Sequence, residues 1–222
     1  MKKIIITGGL GYIGMEIARL YSAKSRIYDI TVIDNKFFSD RVSQLKRWNI
    51  KFKQIDILDQ SSLKNEICDA DLIYHLAGIT DVGSTKEDID KARDKKVNDV
   101  GIKGTKNIIK FSSENSKIIF TSTHVVFEGA KSTLKGIDEN HETLPVLEYS
   151  KGKAQSEIDL IKSERDYVIL RLGSVYGKSY DSTRLNIMPN LFSKIIVVTS
   201  LEFLDLTKEV LKNKPVQIVI GG

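Results

Sequence analysis

Short apolar runs alternate with amphipathic stretches along most of the 222-residue chain. Lys3–Thr7 is a β-branched run and reads as a buried strand. Gly11–Ala23 places Ile13, Ile17, Ala18 and Leu20 at helical spacing. Ile30–Ile33, Phe52–Ile55, Leu72–Leu76, Lys117–Thr121 and Tyr167–Leu170 read as five further strands. Between them Asp40–Arg47, Leu63–Ile67, Asp88–Phe111 and Glu148–Ser163 read as helices, the third of these a long one. Strands that alternate with helices imply right-handed crossovers and a parallel sheet covered on both faces. After Gly177 the pattern changes to Ile195–Val198 (apolar), Leu204–Leu211 (helical) and Val216–Ile220 (apolar). This predicts one α/β domain over 1–177 and an incomplete or diverged small subdomain over 178–222.

The first strand runs directly into Gly8-Gly9-Leu10-Gly11-Tyr12-Ile13-Gly14, which opens the first helix. In such a loop Gly8 permits the tight turn, Gly11 lets backbone approach a pyrophosphate, and Gly14 lets helix and strand pack closely. The helix N-terminus then offers N–H groups and partial positive charge to phosphates. Asp34 stands twenty residues past Gly14, at the end of the second strand. A carboxylate there accepts from both ribose hydroxyls and repels a 2′-phosphate, which predicts NAD over NADP. Arg41 is the one nearby feature that weakens this choice. Strand, loop, helix, strand and acid in this order predict a Rossmann-type, doubly wound parallel sheet.

Composition narrows the rest. Lys and Arg total 34 against 29 Asp and Glu, a net charge of +5. The lysines are scattered and no aromatics alternate with a basic stripe, so anionic small molecules suit the chain better than nucleic acid. Cys68 is the only cysteine, which excludes an internal disulfide and speaks against a zinc cluster. No metal site is expected. The N-terminal apolar run stops at the glycine loop rather than a cleavage site, and no run is long enough to span a bilayer. The expected setting is cytoplasmic, without a membrane partner.

Tyr149 and Lys153 are four residues apart on one predicted helix face. A tyrosine titrates near 10, so it is a poor base at neutral pH unless a neighbouring ammonium favours the phenolate. Such a tyrosine can take a proton from a sugar hydroxyl. Thr121-Ser122-Thr123 closes the fifth strand, and ligands of such sheets bind beyond the carboxyl ends of the strands. Thr123 is therefore placed to hydrogen-bond a reacting oxygen.

Together these residues resemble the extended short-chain dehydrogenase/reductases, the NAD-dependent epimerase/dehydratase family. Thr7–Gly14 resembles the family's TGGxGxxG loop, and Asp34-Asn35 its ribose-binding strand end. Asp56-Ile57 resembles its adenine-contacting pair, and His75-Leu76-Ala77-Gly78 its HLAA segment along the cofactor. Asn98 with Gly104-Thr105-Lys106-Asn107 resembles its N…GT.N helix. Thr123 falls on the catalytic Ser/Thr, and Tyr149 with Lys153 on YxxxK. Arg171–Gly177 resembles RxxNVYG, which brings Gly173, Ser174 and Val175 to the cofactor and substrate. Asn186-Ile187-Met188-Pro189 resembles the NLMP segment that touches substrate phosphates in UDP-sugar 4-epimerases.

The resemblance implies NAD held by Gly8, Gly11, Tyr12, Ile13, Gly14, Asp34, Asn35, Asp56, Ile57, Leu76, Ala77, Gly78, Asn98, Thr121, Tyr149, Lys153, Gly173 and Val175. It implies catalysis by Thr123, Tyr149 and Lys153, and substrate contacts from Thr123, His124, Ser174 and Asn186. It implies a nucleotide-sugar substrate, 4-epimerase chemistry, and a homodimer formed through the Asp88–Phe111 and Tyr149 helices.

The chain also departs from the family. His124-Val125 replaces the Asp-Glu of 4,6-dehydratases, which argues against dehydration and leaves epimerisation or 4-keto reduction. His124 reads as a packing residue rather than a substitute acid. Phe127-Glu128 stands where Tyr-Gly is usual, and Gly173-Ser174 replaces a pair ending in Asn. His75 and His141 read as structural or exposed, and Cys68 as filler at a helix end. Beyond Asn190 the match stops. A fragment, a diverged short form and a disrupted reading frame all fit that ending. A non-catalytic dinucleotide-binding protein is the reading from another class.

Overall fold

The computed structural model describes residues 1–80, 90–130, 136–177 and 179–180. Six strands form one sheet: β1 (Lys2–Thr7), β2 (Tyr28–Asp34), β3 (Lys51–Gln54), β4 (Leu72–His75), β5 (Lys117–Thr123) and β6 (Asp166–Leu172). Their order is β3-β2-β1-β4-β5-β6, and every neighbouring pair is parallel. This is the doubly wound Rossmann arrangement predicted from the sequence. The order reverses between β1 and β4, where sheets of this kind open a crevice for ligands. The register pairs Thr7 with both Ile33 and His75, so three strand ends meet at that crevice.

The helices are α1 (Tyr12–Ser22), α2 (Ser39–Arg47), α3 (Gln60–Ile67), α4 (Lys91–Asn98), α5 (Gly104–Phe111) and α6 (Glu148–Ile161). Strand side chains alternate between faces, and the core divides accordingly. Ile4, Ile6, Ile30 and Val32 pack with Met15 and Ala18 of α1 and Val42 and Leu45 of α2. Ile5, Ile33, Ile73, Ile118 and Phe120 pack on the other face with Leu63 and Ile67 of α3, Ile108 of α5 and Leu160 of α6. No helix of the described residues is long and apolar enough to cross a membrane.

Three expectations change. The long Asp88–Phe111 helix is broken. It starts at Lys91, because the Asp90 carboxylate accepts the N–H groups of Ala92 and Arg93 and so caps the first turn. It is then widened by a π turn, Asp99–Lys103, before α5 resumes. On α1 the buried face is Tyr12, Gly14, Met15 and Ala18. Leu20 instead is 63% exposed, since two residues past Ala18 the helix has turned to its far side. Finally, β5 runs two residues further than its apolar run, paired with β6 through Thr123 and Leu172. The segments Ile195–Val198, Leu204–Leu211 and Val216–Ile220, and the whole subdomain expected over 178–222, lie outside the described residues apart from 179–180.

Candidate active site

The glycine loop closes tightly at the end of β1. Gly8 has φ +63°, and a Cβ there would lie 2.7 Å from the Ala77 backbone, so only glycine fits. A Cβ on Gly14 would lie 2.4 Å from Gly9 Cα, which puts the start of α1 directly on the loop. Gly11 is the N-cap of α1 and supplies no side-chain cap, and the first turn holds no acidic residue. A helix start capped by glycine, with no acidic side chain beside it, fits an anionic group such as a diphosphate. The Tyr12 hydroxyl donates to Gly177 O at 2.5 Å, and the Tyr12 carbonyl accepts from Ser179 Oγ at 2.8 Å. The half-buried Ile13 follows it in the first turn.

Asp34 ends β2 facing this loop. Its Oδ2 accepts from Leu10 N at 3.1 Å and its Oδ1 from Lys36 N at 3.0 Å. Burial raises its pKa, opposed by these two N–H groups and by the charges of Lys36 and Arg41. Each oxygen keeps acceptor capacity for a hydroxyl. Arg41 is buried and donates to Leu10 O at 2.6 Å. Asn35 Nδ2 donates to Asp56 Oδ2 at 3.2 Å, and Asp56 Oδ1 accepts from Leu58 N at 2.9 Å. Ile57 is core: a Cβ on Gly104 would lie 2.2 Å from its Cδ1, and its carbonyl accepts from Asn107 Nδ2 at 2.9 Å. Leu76 and Ala77 are half-buried beyond β4, and Gly78 is exposed.

Lys153 lies in the same crevice. It is buried, and its Nζ donates to Thr121 O at 2.7 Å and sits 4.6 Å from the centre of the Phe120 ring. A Cβ on Gly78 would lie 3.7 Å from that Nζ. The ammonium therefore stands between the ends of β4 and β5. Burial pulls its pKa down to about 8, opposed by Glu157 one turn along the helix. Thr121 Oγ1 donates to His75 O at 3.3 Å, and Thr123 Oγ1 accepts from Val125 N at 3.3 Å. Ser122 is buried with its hydroxyl unpaired.

Tyr149 is half-buried in the first turn of α6. The N-cap, Leu147, contributes no side-chain cap. Glu128 does so instead: its Oε1 accepts from Val146 N at 2.6 Å and Leu147 N at 2.5 Å, and it also meets the Ser150 hydroxyl. On the other flank Asn98 Nδ2 donates to Glu148 Oε2 at 3.0 Å. Asn98, expected along a cofactor, is thus engaged with the start of α6. His124 is exposed, and its Nδ1 lies 3.1 Å from Leu172 O. A carbonyl only accepts, so Nδ1 carries a proton. Gly173 and Val175 are half-buried past β6, and Ser174 is exposed. Asn186 lies outside the described residues.

Two carboxylates were missed in the sequence. Glu157 is buried and binds Arg171 through Nε (3.2 Å) and Nη2 (2.8 Å), joining α6 to β6. Its position four residues after Lys153, with an arginine opening the Arg171–Gly177 segment, was the available signal. Glu128 reads by sequence only as a departure from the family pattern, because a bond across 19 residues to Leu147 N leaves no local pattern.

The family model described as "3-beta hydroxysteroid dehydrogenase/isomerase family" matches residues 5–189. The chain belongs to this family, within the extended short-chain dehydrogenase/reductases. Relatives carry several activities under the same fold. A UDP-glucose 4-epimerase of Mycoplasma pneumoniae is 31% identical over 85% of this chain and 59% of its own length. A dTDP-D-glucose 4,6-dehydratase of Dictyostelium discoideum is 28% identical over 80% of this chain and 44% of its own. The crystal structure of UDP-glucose 4-epimerase from Brucella ovis in complex with NAD superposes with a TM-score of 0.67 at 24% identity, covering 82% of this chain and 55% of that one. This short-chain dehydrogenase/reductase thus spans about half the length of these relatives. Among the described residues no cluster suited to a metal ion occurs.

Proposed function

We propose that the protein is an NAD-dependent nucleotide-sugar epimerase acting at the sugar's C4, with Tyr149 as base. The observation that carries this reading is the position of Lys153: a buried ammonium held on the Thr121 carbonyl, between Gly78 and the strand end that bears Thr123. A cation there favours the ionised form of a phenol nearby, and Tyr149 is one turn back on the same helix.

NAD fits the residues present. The uncapped first turn of α1 would hold its diphosphate, Asp34 the adenosine ribose, Asn35, Asp56 and Ile57 the adenine side, and Leu76, Ala77, Gly78, Thr121, Gly173 and Val175 the remainder. When bound, the cofactor supplies a reversible hydride acceptor. The chain does the rest. Thr123 orients the C4 oxygen, Tyr149 takes its proton and later returns it, and Lys153 keeps the phenolate favourable. His124, Ser174 and Asn186 are the proposed substrate contacts. The exposed Ile158 and Ile161 on α6 are the proposed centre of a homodimer contact.

The test is Tyr149→Phe assayed against a panel of nucleotide sugars. Turnover in the unaltered protein and its loss in the variant support the reading, while equal rates refute it. A net loss of NADH absorbance during turnover selects a 4-ketosugar reductase instead. NAD binding without turnover of any sugar nucleotide selects a non-catalytic binder.

A further inference from the structure

Leu10, fully buried in the middle of the glycine loop, is gripped on both sides. Its N–H donates to Asp34 Oδ2 at 3.1 Å, and its carbonyl accepts from Arg41 Nη1 at 2.6 Å. The peptide that follows is planar, so holding the Leu10 oxygen also sets the direction of the Gly11 N–H. That N–H closes the turn on Gly8 O at 3.1 Å, and Gly11 is the residue from which α1 begins.

Arg41 comes from the first turn of α2, and its guanidinium lies 4.2 Å over the Phe38 ring. It is 6% exposed. An arginine that recognises a phosphate offers its fork of donors to the ligand side. Here the cation is withdrawn from solvent and commits a donor to the backbone of the loop. The oppositely charged Asp34 holds the other end of the same residue, so loop and ribose acceptor form one unit.

We propose that Arg41 is a positioning residue for the dinucleotide loop: by holding the Leu10 carbonyl it fixes the turn and leaves Asp34 to meet the ribose, so it supports NAD binding and gives no purchase to a 2′-phosphate. This deepens the reading of the loop as an NAD site and rests on it.

The experiment measures NAD and NADP affinity of the full chain, and amide exchange at Leu10 and Gly11, in the unaltered protein, Arg41→Ala and Arg41→Lys. The expected result is an NAD Kd raised about tenfold or more in Arg41→Ala, the equivalent of one lost hydrogen bond. Arg41→Lys, which keeps a donor and a charge, recovers part of the loss. NADP gains nothing on NAD in any variant, and the Leu10 amide exchanges faster in Arg41→Ala. Two results overturn the proposal: NAD affinity within about twofold of the unaltered protein, or a selective loss of NADP affinity, which would make Arg41 a phosphate ligand. If the unaltered protein binds neither cofactor, the NAD reading fails. The exchange at Leu10 then still decides whether Arg41 holds the loop, and unchanged protection there overturns it.

Discussion

His75 Nε2 lies 3.0 Å from Thr105 Oγ1, and the direction of that hydrogen bond fixes the proton on the imidazole. The Thr105 hydroxyl has one hydrogen and donates it to Gly101 O at 2.6 Å. It must therefore accept from Nε2–H. The other nitrogen, Nδ1, is left to accept from Thr7 Oγ1 at 3.0 Å, while Thr7 in turn accepts from Ala77 N at 3.3 Å. A neutral imidazole satisfies every group in this chain, and a charged one satisfies none of it better.

Burial accordingly pulls the His75 pKa from 6.5 to about 3, helped by the charge of Lys153. The unfolded chain binds this proton more readily than the folded one. The associated stability is complete above pH 6.5 and is lost as pH falls from 6.5 towards 3, at up to about 1.4 kcal/mol per pH unit. Chemical denaturation across that range is expected to show a steeper acid limb for the unaltered protein than for His75→Asn. Equal slopes would show that folding leaves the His75 pKa unshifted.

Lys153 has the same sign at the other end of the scale. Its folded pKa is about 8 against 10.5, so folding disfavours the ammonium. The stability this group withholds returns as pH rises from 8 to 10.5. Lys153→Met is expected to be more stable than the unaltered protein at neutral pH, and the gap is expected to shrink towards pH 10.5. Melting temperatures of the pair at both pH values check it, and a pH-independent gap would contradict the burial cost.

Glu128 predicts a separable effect. Removing a helix cap costs about 0.5–2 kcal/mol, and here the helix end carries Tyr149. Glu128→Ala is expected to lower kcat more than it raises the Kd for NAD, because the diphosphate loop and Asp34 lie on other elements even though Tyr149 and Lys153 do not. Glu128→Gln, whose amide oxygen still accepts from Val146 and Leu147, is expected to recover most of it. Parallel loss of both parameters would mean a general loss of structure.

Breaking one side of the Glu157–Arg171 pair strands a charge between α6 and β6. Glu157→Ala is expected to cost about 3–5 kcal/mol, whereas a surface pair such as Lys51–Asp29 is worth at most about 1 kcal/mol. Denaturation midpoints of Glu157→Ala and Asp29→Ala compare the two directly.

The sheet and its flanking helices were legible because their signals are local. Ile4–Ile6 and Ile30–Ile33 are β-branched runs, and the glycines from Gly8 to Gly14 announce the turn between them. What escaped depended on distance. Leu20 sits in an apolar stripe by sequence yet faces solvent, since Met15 and Ala18 already fill the groove against β1 and β2. Asp90 caps the start of α4, whereas hydrophobic spacing alone places the helix start at Asp88. Arg41 is legible only as a charge near Asp34, because sequence separation carries no information about the bond its guanidinium makes to Leu10 O. The pair Tyr149 and Lys153 is visible as a spacing, but the carbonyl of Thr121, the ring of Phe120, the Glu128 carboxylate at the start of α6 and the Asn98 amide on Glu148 come from other segments.

The π turn at Asp99–Lys103 gives this helix one residue of slack. Its Gly101 carbonyl accepts from the Thr105 hydroxyl at 2.6 Å and lies 3.2 Å from the Ser156 hydroxyl of α6, and Thr105 in turn accepts from His75, so the turn links two helices to the buried imidazole through that hydroxyl. Deleting one residue there would yield a smoother helix but rotate everything on one side of it by about 100°, carrying Thr105 away from His75. Changes in length are therefore better tolerated almost anywhere on the surface than in these five residues, and an engineered graft of the segment must keep the irregularity to keep the fit.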